Sequence, residues 1–522
     1  MALPTLCNFP QYEPTVDAGP NTNSSAAWAC IARWLESCSK HHASCRHPDQ
    51  SPYASRYPTR LLDVGANDSG NNNIKLQFLL ELPAVPKTFG DAIVVARKLH
   101  IRYLWIDSLC IIQDDPEDWQ TESLLMDQVY KNALLNIAAT AASDSRGGLF
   151  HSRPHLVPCC QIKLGEEWFR FFDTSLFIAE VENSPLLQRA WVLQERLLAP
   201  RVLHFGRKQL FWECNELCAS ETFPDGQPPG GIQNGTQQIR ARISAMVPKS
   251  ESITKGHERE VLEIWRSILF LYTRSNLTFG TDKLRALAGI VKHIQPLFGN
   301  TYRVGIWKDS IILLLGWYCF SGSLRRLLPR PVEYRAPTWS WSSTDNPITF
   351  WLPFPRSETV FDLKVLAFET TTIGDDTAMR NGSGYLLVEG PLNLVTIDKN
   401  WMHFIVDGRP ITLSRSGRDG PWLDEDTELA MDLYCLPLHH TVVPKNRVAG
   451  EYDDMNSGSV EDGNTYLISF LLLKPKGDYL GFYTRCGVWR SEGTEGLLRV
   501  QTGREAPCQE FIGLERGHRI RI

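Results

Sequence analysis

Glu122 is an acid at a position where a helix is expected to bury carbon. From Pro116 to Asn132 the chain reads PEDWQTESLLMDQVYKN, and at about 100 degrees per residue Trp119, Met126, Val129, Tyr130 and Ala133 fall within one arc. Glu122 falls inside that arc. A carboxylate turned toward a core is either a catalytic or ligand-binding acid tuned by burial, or the partner of a core arginine or a helix terminus. Both readings stand at this level. Just upstream, Asp107 and Gln113 flank Ser108-Leu109-Cys110-Ile111-Ile112, a strand-to-helix turn that brings further polar groups to the same region. Glu122, Asp107 and Gln113 are therefore the candidate catalytic residues. Cys110, set between leucine and isoleucine, reads as an inert buried thiol rather than a nucleophile.

Cys30, Cys38, His42 and Cys45 form the one metal-like set. Their spacing, Cys-x7-Cys-x3-His-x2-Cys, lacks the tight Cys-x2-Cys knuckle of strong zinc motifs, so a helix end with buried thiols is expected rather than a structural zinc. The 16 tryptophans include Trp105, Trp119, Trp191, Trp339 and Trp341, candidates for lining an apolar ligand pocket, although aromatic clusters are normally core. The sequence contains no Gly-x-Ser-x-Gly elbow, no phosphate-cradling P-loop and no Gly-x-Gly-x-x-Gly fingerprint. No cofactor is expected.

These side chains need elements to hold them. Ala27, Cys30, Ile31, Trp34, Leu35 and Cys38 recur at helical spacing over Ala26–Ser39, and Phe89, Ala92, Ile93, Ala96 and Leu99 do so over Thr88–Leu99. Tyr103-Leu104-Trp105-Ile106 reads as a buried strand ending at Asp107. Asp114, Asp115 and Pro116 then supply a cap and a proline near the first helical position for a helix to Asn132, and Leu134–Ala139 is a second apolar strand. This alternation predicts a βαβ unit on a parallel sheet, with ligands beyond the strand ends. Phe205–Glu213 reads as a hairpin or edge strand. Helical periodicity covers His257–Ile294 and Tyr302–Arg326, and strand-like runs separated by turn residues fill the end of the chain.

The predicted architecture is α/β: an α/β domain over 1–220 with a small parallel or mixed sheet, a linker over 221–250, a mainly helical continuation over 251–350 and a β-rich module over 351–522. With 54 Lys+Arg against 59 Asp+Glu, a net charge of -5 provides no broad basic field for nucleic acid. The apolar run Ile311–Phe320 is shorter than the roughly 20 residues needed to cross a bilayer. Met1–Pro14 has no basic stretch followed by an apolar one, so a cytoplasmic location is expected and the 13 cysteines are expected to be thiols.

The block Ile101–Asp115, followed by Asp118-Trp119, Glu122-Ser123, Met126, Val129-Tyr130 and Asn132-Ala133, resembles the fungal heterokaryon-incompatibility (HET) domain family. Upstream, Trp34-Leu35, Cys38, His42, Cys45 and Pro58-Thr59-Arg60-Leu61-Leu62-Asp63-Val64 extend the resemblance. Gly147-Gly148-Leu149-Phe150, Arg189–Arg196, Phe211-Trp212-Glu213-Cys214 and Pro337–Trp341 continue it in order. One departure stands out: only residues 66–81 separate Gly65 from Leu82, and the Ser-x-x-Trp-Gly segment usual there is missing.

The resemblance implies a fungal protein of non-self recognition and regulated cell death, working with other incompatibility proteins or on a small-molecule ligand. It also implies a distant relation to TIR domains, some of which cleave NAD with a helix-borne Glu; by motif position that acid is Glu122, and NAD is then substrate rather than cofactor. Because of the shortened segment, the alternative is a scaffold recruited as a cofactor-free cyclase or pericyclase in secondary metabolism, holding an apolar substrate in a reactive conformation. A binding scaffold without chemistry is the third expectation.

Overall fold

A computed structural model describes residues 19–45, 58–65, 75–76, 85–153, 159–165, 167–172, 175–227, 235–246, 255–299, 301–320, 326–353, 358–372, 382–397, 403–406, 409–412, 420–425, 432–444, 464–476, 481–493 and 518–522. The architecture is mixed α/β with several small sheets. Contacts divide it into two compact units, one of Met1–Ser252, Ser275–Leu277 and Ala286–Ile294, the other of Ile253–Arg274, Thr278–Arg285 and Gln295–Ile522.

In the first unit, helix α1 (Ser25–His41) starts where the Ser24 hydroxyl accepts the Ala27 N–H at 3.2 Å, and its buried face is Ala27, Ile31, Trp34 and Cys38. Strands β1 (Leu62–Asp63), β2 (Lys75–Leu76) and β3 (Tyr103–Leu104) form an antiparallel sheet in the order β2-β1-β3. The shortened segment after Gly65 is described only at β2; its remainder lies outside the described residues. Helix α2 (Lys87–Lys98) packs Ile93, Val95 and Ala96 inward.

The Gly147-Gly148 motif has a steric origin. Gly148 has φ +79, and a Cβ there would lie 1.8 Å from Lys87 Nζ and 2.6 Å from Asp91 Oδ2. This close approach lets the Gly148 and Leu149 N–H groups donate to Thr88 Oγ1 at 3.0 Å and Asp91 Oδ2 at 2.8 Å.

After β3 the chain makes a single turn, α3 (Asp107–Cys110), then α4 (Pro116–Asn132), capped by Asp115 accepting from the Glu117 and Asp118 N–H groups at 2.9 and 3.1 Å. Strand β4 (Asn136–Ala138), a hairpin of β5 (Cys159–Leu164) and β6 (Glu167–Phe172), and α5 (Ala190–Leu198) follow. Strands β7 (Arg201–Phe205), β8 (Leu210–Cys214) and β9 (Cys218–Ser220) complete a second sheet, β4-β7-β8-β9. The predicted βαβ pairing is redistributed. β3 pairs antiparallel with β1, and the parallel contact is β4 with β7. The cause is burial: β3 is two half-exposed residues, whereas every residue of β7 and β8 is buried, so these take the centre. The Phe205–Glu213 region is thus an inner hairpin rather than an edge. Helix α6 (Gly235–Met246) occupies part of the expected 221–250 linker.

The second unit holds α7 (Lys255–Tyr272), whose Trp265 packs edge-on against Tyr302 and Trp307. Helix α8 (Ala288–Phe298) contributes its first part, Ala288–Ile294, to the first unit. The helix expected over Tyr302–Arg326 is replaced, over its described part, by a hairpin (Tyr302–Arg303 with Ile306–Trp307), one helical turn (Ile311–Leu314) and a strand (Trp317–Cys319). Gly305 at φ +89 makes the hairpin turn that interrupts any helix there. The β-rich end is an eight-stranded antiparallel sheet beside a three-stranded one. Among the described residues no helix is long and apolar enough to cross a membrane.

Candidate functional site

A cavity of about 900 Å³ lies within the first unit, a size that suits a small-molecule ligand. Its walls are Phe89, Ala92 and Ala96 of α2, the Tyr103–Leu109 stretch, Val129 and Tyr130 of α4, Leu135–Ala139 around β4, and Val192 and Glu195 of α5. Most of this lining is apolar. Asp107, Tyr130, Arg189, Glu195, Arg196 and His204 are among its polar groups.

Glu195 is the electrostatic centre of the site. The Tyr130 phenol and the charges of Asp107 and Arg189 all act on its carboxylate. Burial, reinforced by the Asp107 carboxylate, pushes Glu195 up to about 7 against the opposing pull of Arg189 and Tyr130. The side chain is partly buried and its remaining surface faces the cavity. It therefore exchanges its proton near neutral pH, the property required of an acid–base group. Burial raises the Tyr130 phenol well above its ordinary range, so it stays a donor.

Of the residues expected from sequence, Asp107 and Trp105 line this cavity, and Trp105 meets Tyr130 edge-on at 5.9 Å between centroids. Glu122 does not. It is 1% exposed and turned to another face of α4, where the Thr59 hydroxyl donates to Oε1 and Oε2 has no hydrogen-bond partner among the described residues. Beside it, Arg60 pairs with Asp118 and donates from Nε to the Cys110 carbonyl at 2.7 Å. Gln113 is exposed and staples the turn, donating to the carbonyls of Ile111 at 2.9 Å and Asp107 at 3.3 Å. Trp119 and Trp191 touch edge-on at 6.4 Å outside the cavity lining. Trp339 and Trp341 are core side chains of the second unit; Trp341 Nε1 donates to the Gly305 carbonyl at 2.6 Å. Cys110 is fully buried and its thiol is pushed up to about 11 by burial, so it stays protonated.

Sequence reasoning missed Glu195, Tyr130 and Arg189 as site residues. A signal existed. Helix α5 is the nonapeptide AWVLQERLL, and three consecutive polar residues in so apolar a helix cannot all face water. Gln194 instead accepts the Gly289 N–H at 2.8 Å, and Arg196 turns inward.

Arg196, which also lines the cavity, donates to Glu213 at 2.6 and 2.9 Å and to Glu182 at 3.0 and 3.2 Å. His204 bridges Glu213 (2.9 Å) and Thr140 (3.0 Å). Burial opposes ionisation of Glu213, but Arg196 and His204 outweigh it and hold the acid well below its usual range. Burial holds His204 down, hence neutral, so its Nε2–H donates to Glu213. This network anchors α5 to the sheet and fixes Glu195 in place.

A second cluster gathers at the end of α1. Cys38, His42, Cys45 and Cys214 bring one ligand atom each to within 4.8 Å of one another. Three of these belong to the set singled out in the sequence; Cys30 stands apart from them, and Cys214 from the end of β8 takes the fourth place. Spacing could not reveal Cys214, because β8 reaches the others only through the tertiary fold.

Residues 62–195 match the family model of the heterokaryon incompatibility protein (HET), about a quarter of the chain. Asp107, Tyr130, Arg189 and Glu195 all fall within the span that is similar to this family. No curated protein and no solved structure matches the chain.

Proposed function

We propose that this HET-like domain acts in heterokaryon incompatibility and regulated cell death by hydrolysing the N-glycosidic bond of a nucleotide such as NAD. The observation that carries this reading is Glu195, pushed up to about 7 and sharing one cavity with Asp107 and Arg189. Glycosidic cleavage passes through an oxocarbenium-like state, which a nearby carboxylate stabilises while a second carboxylate handles a proton. Asp107 takes the first role and Glu195 the second. Water attacks the ribose anomeric carbon, the carbon–nitrogen bond breaks, nicotinamide leaves as a neutral base, and the water proton passes to Glu195. Trp105 and Tyr103 offer aromatic faces for a base, and Arg189 offers a cation for the diphosphate. Glu122, placed by motif position as the catalytic acid, has a structural role in this reading because it does not reach the cavity.

Purified protein incubated with NAD is expected to release nicotinamide, with the rate rising through about pH 7. Glu195→Gln loses about 10²–10⁴-fold, the usual contribution of a positioned acid–base group. Nicotinamide release at the wild-type rate by Glu195→Gln contradicts the proposal. The mostly apolar lining favours one second reading, a cyclase or pericyclase acting on an apolar metabolite; co-purification of such a compound, with no NAD consumption, supports that reading instead.

A further inference from the structure

We infer that Cys38, His42, Cys45 and Cys214 form a closed structural zinc site that ties the end of α1 to the end of β8. A tetrahedral zinc with Zn–S near 2.3 Å and Zn–N near 2.0 Å holds its ligand atoms roughly 3.5–3.8 Å apart. The four candidate atoms already lie within 4.8 Å of one another, and His42 Nδ1 is 3.2 Å from Cys214 Sγ. Shifts of about an ångström, closing the longer separations and slightly opening the His42–Cys214 one, complete the tetrahedron. Three thiols and an imidazole converging on one point have no comparable use in an apolar core, where any good packing residue would fill the space.

The surroundings suit thiolates. Three thiolates and a neutral imidazole around a divalent ion leave one net negative charge. Arg201, 3% exposed, donates from Nε to Cys38 Sγ at 3.2 Å and from Nη2 to the Cys45 carbonyl at 2.9 Å. The Leu217 N–H donates to Cys214 Sγ at 3.2 Å. Donors aimed at ligand sulfurs are the outer-shell partners that metal sites use to orient and tune their ligands. A second cation, Arg240, is also 3% exposed, has no hydrogen-bond partner among the described residues and feels the charge of Glu213 first and then of Cys214 and Cys45.

All three cysteines are at most 1% exposed, so the site has four protein ligands and no open position for substrate water. That is the pattern of a structural rather than a catalytic zinc. The flanking turns are already clamped together, with Asn215 Nδ2 donating to the Ser44 carbonyl at 2.6 Å and the Ser44 N–H to Glu216 Oε1 at 2.6 Å.

The test is metal analysis of the full chain, expressed with zinc and purified without chelator. One zinc per chain is expected in the wild type and in Cys30→Ser, and well under half of that in Cys45→Ser. Because Cys45→Ser can fail to fold, the wild type is also loaded with cobalt. Intense d–d absorption of a tetrahedral ion with thiolate charge transfer is the expected signature, and chelation should lower the melting temperature. A folded wild type without stoichiometric zinc, iron in its place, weak octahedral cobalt bands, or a disulfide between any two of the three cysteines overturns the assignment.

Discussion

Tyr130 on α4 and Glu195 on α5 line one cavity and act on each other electrostatically, so the two helices meet at a carboxyl group whose proton exchanges near neutral pH. Tyr130 lowers Glu195 while Asp107 raises it. Tyr130→Phe should therefore move the Glu195 midpoint up by about half a unit to one unit, and Asp107→Asn should move it down. The pH dependence of ligand binding in the two variants checks this; shifts in the same direction would refute it.

The same group makes stability depend on pH. Glu195 is raised from 4.5 to about 7 in the folded protein. Its stabilising share is therefore fully present below about 4.5 and is lost as pH rises through about 7. At about 1.36 kcal/mol per unit this amounts to roughly 3 kcal/mol at most. Glu195→Gln should remove that slope, leaving the variant relatively more stable than wild type at pH 8 than at pH 5. Denaturant midpoints at both values measure the difference.

The buried ion network is expected to be costly to break on one side. Arg196 and Glu213 are 3% and 0% exposed in their side chains, whereas Glu182 is 20% exposed. Arg196→Met strands Glu213 without its cation and should cost about 3–5 kcal/mol. Glu182→Gln leaves the inner pair intact and should cost about 1 kcal/mol or less. Urea denaturation of the two variants gives the comparison.

Much of the fold was legible because local physics decided it. The Asp115-Pro116 start of α4 and the buried face of α1 each follow from side-chain chemistry within a few residues. Sheet membership was not, since the two residues of β3 carry too little apolar surface to compete with β7 and β8 for the centre. The site was half legible. Asp107 and Trp105 could be named from a strand end, and Glu122 was rightly read as inward-facing, but an inward direction on a helix does not say which of several interiors it enters. Glu195 and Cys214 come into place only through long-range contacts.

Glu122 thus becomes a separate test. Its Oε1 accepts from Thr59, and it lies apart from the cavity lining. Glu122→Gln keeps an acceptor for Thr59 and should lose about 1 kcal/mol or less, while Glu122→Ala should lose about 1–3 kcal/mol. Neither should change turnover per folded molecule. A hundredfold loss of turnover in a fully folded Glu122→Gln would return the catalytic role to this residue.

The central claim is that Glu195 carries an exchangeable proton at neutral pH inside the cavity. Carboxyl-selective carbon NMR of glutamate-labelled protein, with Glu195→Gln to assign the signal, reads this directly. The account predicts a titration midpoint of about 7 that shifts when NAD is added; a midpoint in the ordinary carboxylate range, unmoved by NAD, would contradict it.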